Sequence, residues 1–427
     1  MNMRVSFYTI GCRLNQAETA IIEQSFRLSG YRIVDFSDPA DVVVINTCTV
    51  TEKGDADTRR VVNKALRTNA ASRIALIGCQ AQTQQGDLFA MPNVQWIVGN
   101  ERKMQLAEIV RDTFDAAPQL ITPVVQRDNF TISVAGIDRK HTRANLKIQD
   151  GCDFFCSFCE IPYARGRARS RVFTDILKEA RELADAGFRE VVLTGVNIGT
   201  FAFEDKTLVD VVDALSEIEK LERIRISSVE GTTMEGSLLK RMGQGKKLCR
   251  HLHISIQSAN DDMLAAMNRR YTVKEYRALV QQAYEQVEGI CLGTDIIVGF
   301  PGETRDHFMD TFRNVREMPF AYFHVFSYSE RGHARSRKLG DKVPQEEIDR
   351  RSQKMRDLGN RKRRLFFEQN LGSIQQVLFE QKKNGLWSGL TDSYIRVQVE
   401  SDLDLKNKLV PVRLAEIHGQ TMHGRLA

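Results

Sequence analysis

Apolar, β-branched runs alternate with helical spacing over the first 115 residues. Val5–Ile10, Val42–Ile45 and Ile74–Ile77 read as strands, and Glu18–Leu28 and Thr58–Leu66 as helices. This rhythm predicts a parallel sheet covered by helices. Residues 116–143, with Pro118, Pro123 and little periodicity, read as a linker. Alternation resumes over 144–370. Strands are predicted at Glu190–Leu193, Ile224–Ser227, His253–Ser255, Thr294–Val298 and Tyr322–Phe326, and helices at Thr174–Ala186 and Thr207–Ile218. Repeated β–α units of this number predict a full or partial barrel. Residues 346–369 carry one apolar stripe (Ile348, Met355, Leu358, Leu365, Phe366) and predict a long helix. Over 371–427 the period falls to two, at Gln376–Phe379, Tyr394–Val399 and Leu409–Leu414, which predicts a small β-barrel. The fold class is α/β, with an N-terminal parallel-sheet domain (1–115), a linker, a central partial barrel (144–370) and a C-terminal β-barrel (371–427).

Composition adds little to this until charge is mapped. The 427 residues are 42% hydrophobic and 27% charged, as in an ordinary soluble protein. No apolar run approaches the roughly 18 residues of a membrane span, and the N-terminus lacks a signal-peptide pattern. A cytoplasmic monomer with no membrane contact is expected. The net charge of +6 is concentrated. Residues 331–370 hold 13 Lys/Arg against 6 Asp/Glu, which points to a polyanionic partner or to a solvated helix face.

The eight cysteines carry the chemistry. Cytosolic thiols stay reduced, so metal or catalytic use is expected ahead of disulfides. Cys152, Cys156 and Cys159 stand in Gly-Cys-Asp-Phe-Phe-Cys-Ser-Phe-Cys. One such loop can wrap three corners of a cubic iron–sulfur cluster and leave the fourth iron open. Zinc would want a fourth ligand nearby, and His141, the closest upstream histidine, reads as a solvated loop residue. Cys12, Cys48 and Cys79 each follow a predicted strand, at the carboxyl edge of a parallel sheet where ligand crevices form. Cys249 and Cys291, beside apolar residues, read as small buried hydrophobes.

The Cys152–Cys159 loop resembles that of the radical S-adenosylmethionine (SAM) superfamily, and four further segments match in order. Leu193–Asn197, with Gly195 and Asn197, is similar to the element beside the methionine amine. Ser227–Glu230, with Ser228 and Glu230, is similar to the ribose-side element. Ser255–Ser258 contains Gln257. Asp295–Glu303, with Asp295 and Gly299, is similar to the adenine-side strand and turn. Alone, each could be a helix cap. The outer domains narrow the resemblance to the methylthiotransferase family, through Gly11–Glu18, Ile45–Val50, Gly78–Gln82, Ile161–Gly166 and Arg169–Arg171. The C-terminal barrel is similar to a TRAM domain, with Trp387-Ser388-Gly389-Leu390-Thr391 resembling its turn. Asn15-Gln16 and Arg169-Ser170-Arg171 most resemble the branch acting on threonylcarbamoyladenosine. Glu160 departs from the apolar residue usual after the third cysteine, and is expected to face water.

The resemblance implies two 4Fe-4S clusters, one on each cysteine triad, with the six cysteines as catalytic and metal-binding residues. One SAM would methylate a sulfur on the N-terminal cluster. A second would yield a radical that removes hydrogen from carbon 2 of adenine at tRNA position 37. An external one-electron donor and a sulfur source are implied. RNA contacts are expected at Arg165, Arg167, Arg169 and Arg171, at the cationic 361–364 run, and on the C-terminal barrel at Lys382, Lys383, Trp387, Tyr394 and Arg396. Isopentenyladenosine in tRNA and a ribosomal-protein aspartate remain alternative substrates. A non-catalytic iron–sulfur protein that binds RNA or relays electrons remains an alternative of another class.

Overall fold

The computed structural model describes every residue except Met1, Asn2, Thr51 and Arg139, with Glu52 and Lys53 described by backbone alone. Strands β1 (Arg4–Thr9), β2 (Arg32–Ile33), β3 (Val42–Thr47), β4 (Arg73–Gly78), β5 (Val94–Val98) and β6 (Gln119–Ile121) form one parallel sheet in the order β2-β1-β3-β4-β5-β6. β3 reads Val-Val-Val-Ile-Asn-Thr and is buried at every position. Its alternate side chains serve opposite cores. Val42 and Val44 pack with Phe7, Phe26 and Trp96, while Val43 and Ile45 pack with Val61, Ile74 and Leu76. A strand covered on both faces has no polar side to show, which is why the run is continuously apolar. β6 lies inside the stretch read as linker. Its three residues are too few to show a period, so the sheet continues past the expected boundary.

The second unit is an open barrel of six parallel strands. Arg143–Lys147, Glu190–Thr194 and Arg223–Ile226 pair in sequence order. Ser228–Val229 continues the third strand and pairs with His251–Ile254, followed by Cys291–Val298 and Tyr322–Ser327. One large core fills the space between strands and outer helices, including Leu146, Leu193, Ile226, Leu252, Tyr276 and Phe312. Helix Gln345–Asn370 packs Met355 and Leu358 into that core, and sets Phe366 and Phe367 against the C-terminal unit.

The C-terminal unit is a closed five-stranded barrel: Ile374–Lys383, Leu386–Thr391, Arg396–Glu400, Thr421–Leu426 and Leu409–His418, in that spatial order. Its Thr391–Tyr394 corner plugs the floor of the central barrel. Arg223 Nη1 donates to Leu390 O at 2.9 Å and Arg225 Nη2 to Thr391 O at 3.0 Å. Arg250 Nε donates to Asp392 Oδ2 at 2.7 Å. No helix among the described residues is long and apolar enough to cross a membrane.

Candidate active site

The strand ends of the N-terminal sheet bring Cys12, Cys48 and Cys79 together. Asn15 Nδ2 donates to both Ile10 O (2.8 Å) and Thr47 O (3.0 Å), pinning the ends of β1 and β3 side by side. Thr47 Oγ1 donates to Ile77 O at 2.7 Å and accepts from the Gln80 N–H, which adds β4. Gly11 has φ +97°, and a Cβ there would lie 2.8 Å from Cys48 Sγ, so only glycine permits this approach. The three thiols feel one another's charge. Cys12 is exposed, while Cys48 and Cys79 are buried.

The second triad is local. Gly151–Cys159 is a loop, with the Cys159 N–H donating to Cys156 O at 3.0 Å and the Ser157 N–H donating to Met267 O at 3.0 Å. Phe155 takes φ +48°, a bend that lets three closely spaced thiols share one side of the loop. Burial first, and neighbouring thiols after it, push Cys159 up to about 12 and Cys152 up to about 11; burial and its neighbours push Cys48 up to about 12. All six are free of disulfides. Thiols raised in this way, as Cys48, Cys152 and Cys159 are, need an added cation to ionise, and iron supplies one. Two sets of three cysteines free of disulfides are the donor type that a 4Fe-4S cluster takes.

Each triad has one buried arginine against a thiol. Arg165 Nε lies 3.2 Å from Cys79 Sγ, and its other nitrogens reach Glu18 Oε1 (2.9 Å), Asp150 Oδ1 (3.0 Å) and Asn15 Oδ1 (2.6 Å). Lys103 and Lys147 complete this set around Glu18, at 2.5 and 2.8 Å. Arg165, Lys103, Lys147 and Arg169 thus face Glu18 and Asp150, and Arg165 brings its positive charge to Cys79. Burial would raise both carboxyls, but Arg165, Lys103 and Lys147 hold Glu18 well below its usual range, and Lys147 and Arg165 do the same for Asp150. At the second triad, Arg269 Nη1 lies 3.2 Å from Cys156 Sγ, and its Nη2 pairs with Glu230.

The SAM-side expectations fall around the second triad. Asn197 Oδ1 accepts from the Glu230 N–H at 3.2 Å, while Asn197 Nδ2 and Glu230 Oε1 are buried without a partner among the described residues. A donor and an acceptor left open side by side fit the carboxylate and amine of an amino acid. Gly195 leaves no room for a Cβ, which would lie 2.8 Å from Gln149 Oε1. Ser228 Oγ lies 3.1 Å from His253 Nδ1. The Gln257 N–H donates to Asp295 O at 2.9 Å. Gly299 is backed by Ile348 of the long helix. Gln257 and Asp295 line a cavity of about 180 Å³ that also takes in Cys159, Phe326 and Val50, two residues beyond Cys48. This chamber thus touches the second triad at Cys159 and the loop that carries Cys48 at Val50.

Several expectations are corrected. Arg165 and Arg171 are each 1% exposed. Arg171 is held by Asp175 and Glu179, so neither can grip a phosphate from outside. Arg169 is shielded and paired with Glu101 and Asp150. Trp387 is buried in the core of the C-terminal barrel. Arg167, Lys382 and Lys383 are exposed. Tyr394 stacks on His251 at 4.3 Å, and Arg396 pairs with Glu380. Glu160 is not solvated. It is 4% exposed, and accepts from the His333 backbone N–H (3.0 Å) and ring Nδ1 (2.5 Å). The same segment sends Arg331 to Thr49 O (3.2 Å) and Asp55 (2.8 Å), so it straps one cysteine loop to the other. Cys249 and Cys291 are buried, as expected. The sequence reading missed Glu18, Asp150, Lys103 and Lys147 as a network. Glu18 stood inside a quoted motif, whereas Arg269 carried no signal.

Comparisons with known proteins agree with this architecture. Residues 146–315 match the Radical SAM superfamily, and residues 4–99 match an uncharacterized protein family, UPF0004. The chain is 34% identical over 423 residues to threonylcarbamoyladenosine tRNA methylthiotransferase MtaB of Bacillus subtilis, covering 96% of this chain and 93% of that protein. It is 35% identical to the MtaB of Aquifex aeolicus, over 96% of this chain and 100% of the relative. Among solved structures, the radical SAM methyltransferase TsrM of Kitasatospora setae, with cobalamin and a 4Fe-4S cluster, superposes with a TM-score of 0.57 at 15% identity, over 77% of this chain and 75% of that one, a likeness of fold. Full-length similarity at this level, joined to the Radical SAM match, shows that the chain belongs to the methylthiotransferase family of radical SAM enzymes.

Proposed function

We propose that this protein is a tRNA methylthiotransferase. It places a methylthio group on carbon 2 of N6-threonylcarbamoyladenosine at position 37, next to the anticodon. The observation that carries this reading is the chamber with Val50 of one cysteine loop on one wall and Cys159 of the other loop facing it. A reaction that joins sulfur to an unactivated carbon needs both reagents at one atom, and proximity supplies much of the rate.

Cys12, Cys48 and Cys79 would hold one 4Fe-4S cluster, and Cys152, Cys156 and Cys159 the other. Asn197 and Glu230, with Gly195 leaving space, would hold the methionine part of SAM. When bound, these groups supply the electron, the radical and the sulfur that side chains cannot. The protein's own share is positioning. Arg165 and Arg269 each place positive charge beside one thiol. The Glu160–His333 and Arg331–Asp55 contacts hold the facing loops at a fixed separation. Electrons and sulfur come from external donors.

RNA phosphates would be met by exposed cations at the chamber rim. Arg335, Arg337 and Lys338 are exposed and form no ion pair with described residues, and the Ser336 N–H beside them donates to Ser157 O of the cysteine loop at 2.8 Å. Lys382, Lys383 and Arg167 are further exposed cations, of which Arg167 is paired with Asp153. The test is nucleoside mass spectrometry of tRNA from cells lacking this chain. The 2-methylthio form of threonylcarbamoyladenosine should vanish while the unmethylthiolated form accumulates. Unchanged tRNA, with a mass loss on a ribosomal protein instead, would refute the reading.

A further inference from the structure

A second cavity of about 180 Å³ lies below the chamber, between the Tyr322–Ser327 strand, the long helix and the C-terminal barrel. Its working residues are Tyr322, His324, Arg363, Tyr394 and Arg396, and Phe366 and Phe367 back it. The two cavities meet along one strand. Phe326 lines the upper and His324 the lower, two residues apart and so on the same face, about 7 Å along the strand. Asp295 of the upper cavity and His324 of the lower belong to one polar layer with His253, their ligand atoms lying within 4.8 Å of one another.

Among the described residues the lower cavity has one cation without a carboxylate partner. Arg396 is neutralised by Glu380, which also takes Arg143. Arg363 Nη1 donates to the side-chain Oε1 of Gln420 (2.7 Å) and the guanidinium sits 5.9 Å from the centre of the Tyr322 ring; it has no carboxylate partner among the described residues. Tyr394 OH accepts from Arg13 at 3.0 Å, and the Arg225 guanidinium lies 5.3 Å from that ring. Burial would raise the Tyr394 hydroxyl, yet Arg13, Arg143 and Arg225 hold it below its usual value.

We propose that the lower cavity is a carboxylate subsite. The target adenine sits in the upper cavity, and an acidic amino-acid substituent on its N6 hangs down past His324 to meet Arg363. This rests on the tRNA reading above and adds to it the residue that selects the substituent. A backbone phosphate could pair with the same guanidinium, but the phosphate needs chain on both sides. A pocket backed by Phe366 and Phe367 better suits a terminal group. Arginine's planar fork is suited to a carboxylate in two-point contact.

The experiment measures binding to the anaerobically reconstituted protein by fluorescence anisotropy. Three anticodon stem-loops are used, carrying adenosine, threonylcarbamoyladenosine, or the same group with its carboxylate converted to an amide. Wild-type protein should prefer the acid over the amide by about tenfold or more. Arg363→Gln should weaken only the acid RNA and abolish that preference, and Arg363→Lys should retain part of it. Unchanged binding of the amide RNA serves as the folding control. If Arg363→Gln weakens all three RNAs equally, Arg363 holds a phosphate and the proposal is wrong. If the wild type binds acid and amide alike, the cavity does not read the substituent. Failure of the wild type to bind any of the three would sink the tRNA reading itself.

Discussion

The two cysteine triads use the same ligands but reach them by opposite routes. The central triad comes from a single loop, with its arginine, Arg269, from the same unit. The N-terminal triad is gathered from three strand ends, and its arginine, Arg165, comes from the central barrel 147 positions away from Glu18. One site is therefore local, whereas the other exists in its observed form only when two units are docked. The difference teaches that the N-terminal site doubles as the interface. Its buried charges link cluster geometry to domain geometry, which a reaction across the chamber requires.

Removing the link should have the largest effect. Arg165→Ala leaves Glu18 and Asp150 buried with less compensation, and loss of one partner of a buried set costs about 3–5 kcal/mol. The thermal midpoint should fall, and iron at the N-terminal site should be lost while the central site keeps its own; equal loss at both would erase the distinction. Arg269→Gln should act locally, at about 1–3 kcal/mol, weakening SAM binding measured by calorimetry and leaving N-terminal iron unchanged.

Acid should separate the two regions more gently. Glu18 and Asp150 are held below their unfolded values, so their contribution is complete above the ordinary carboxylate range and is lost as pH falls toward the folded values. The melting midpoint should stay level from neutrality to roughly pH 5 and drop below roughly pH 4, with a shallower acid slope in Glu18→Gln. The smallest effect concerns the surface. Neutralising Arg335, Arg337 and Lys338 together to Gln should reduce the salt slope of RNA binding by up to about three, with little change in stability.

The grouping of the six cysteines, three on one loop and three at strand ends, was legible because spacing and strand ends are written locally. The Arg165–Arg171 run was misread because charge is visible in a sequence and its partners are not. Glu18, Asp150, Asp175 and Glu179 turn exposed-looking cations into buried struts. Trp387 could have been placed correctly. It sits at an inward position of a period-two strand, paired in register with Val399. Glu160 drew notice as a departure, but its partner His333 lies 173 residues on, beyond any local pattern. Gln119–Ile121 was too short to read, and Arg269 follows no periodic or motif signal.

Mössbauer spectroscopy with iron analysis of anaerobically purified protein tests the central claim most directly. Wild-type chain should hold about eight irons in two 4Fe-4S clusters, and replacing either triad by alanine should leave about four. A single cluster in the wild type, or one that survives only when both triads are intact, would contradict two separate open clusters facing one chamber.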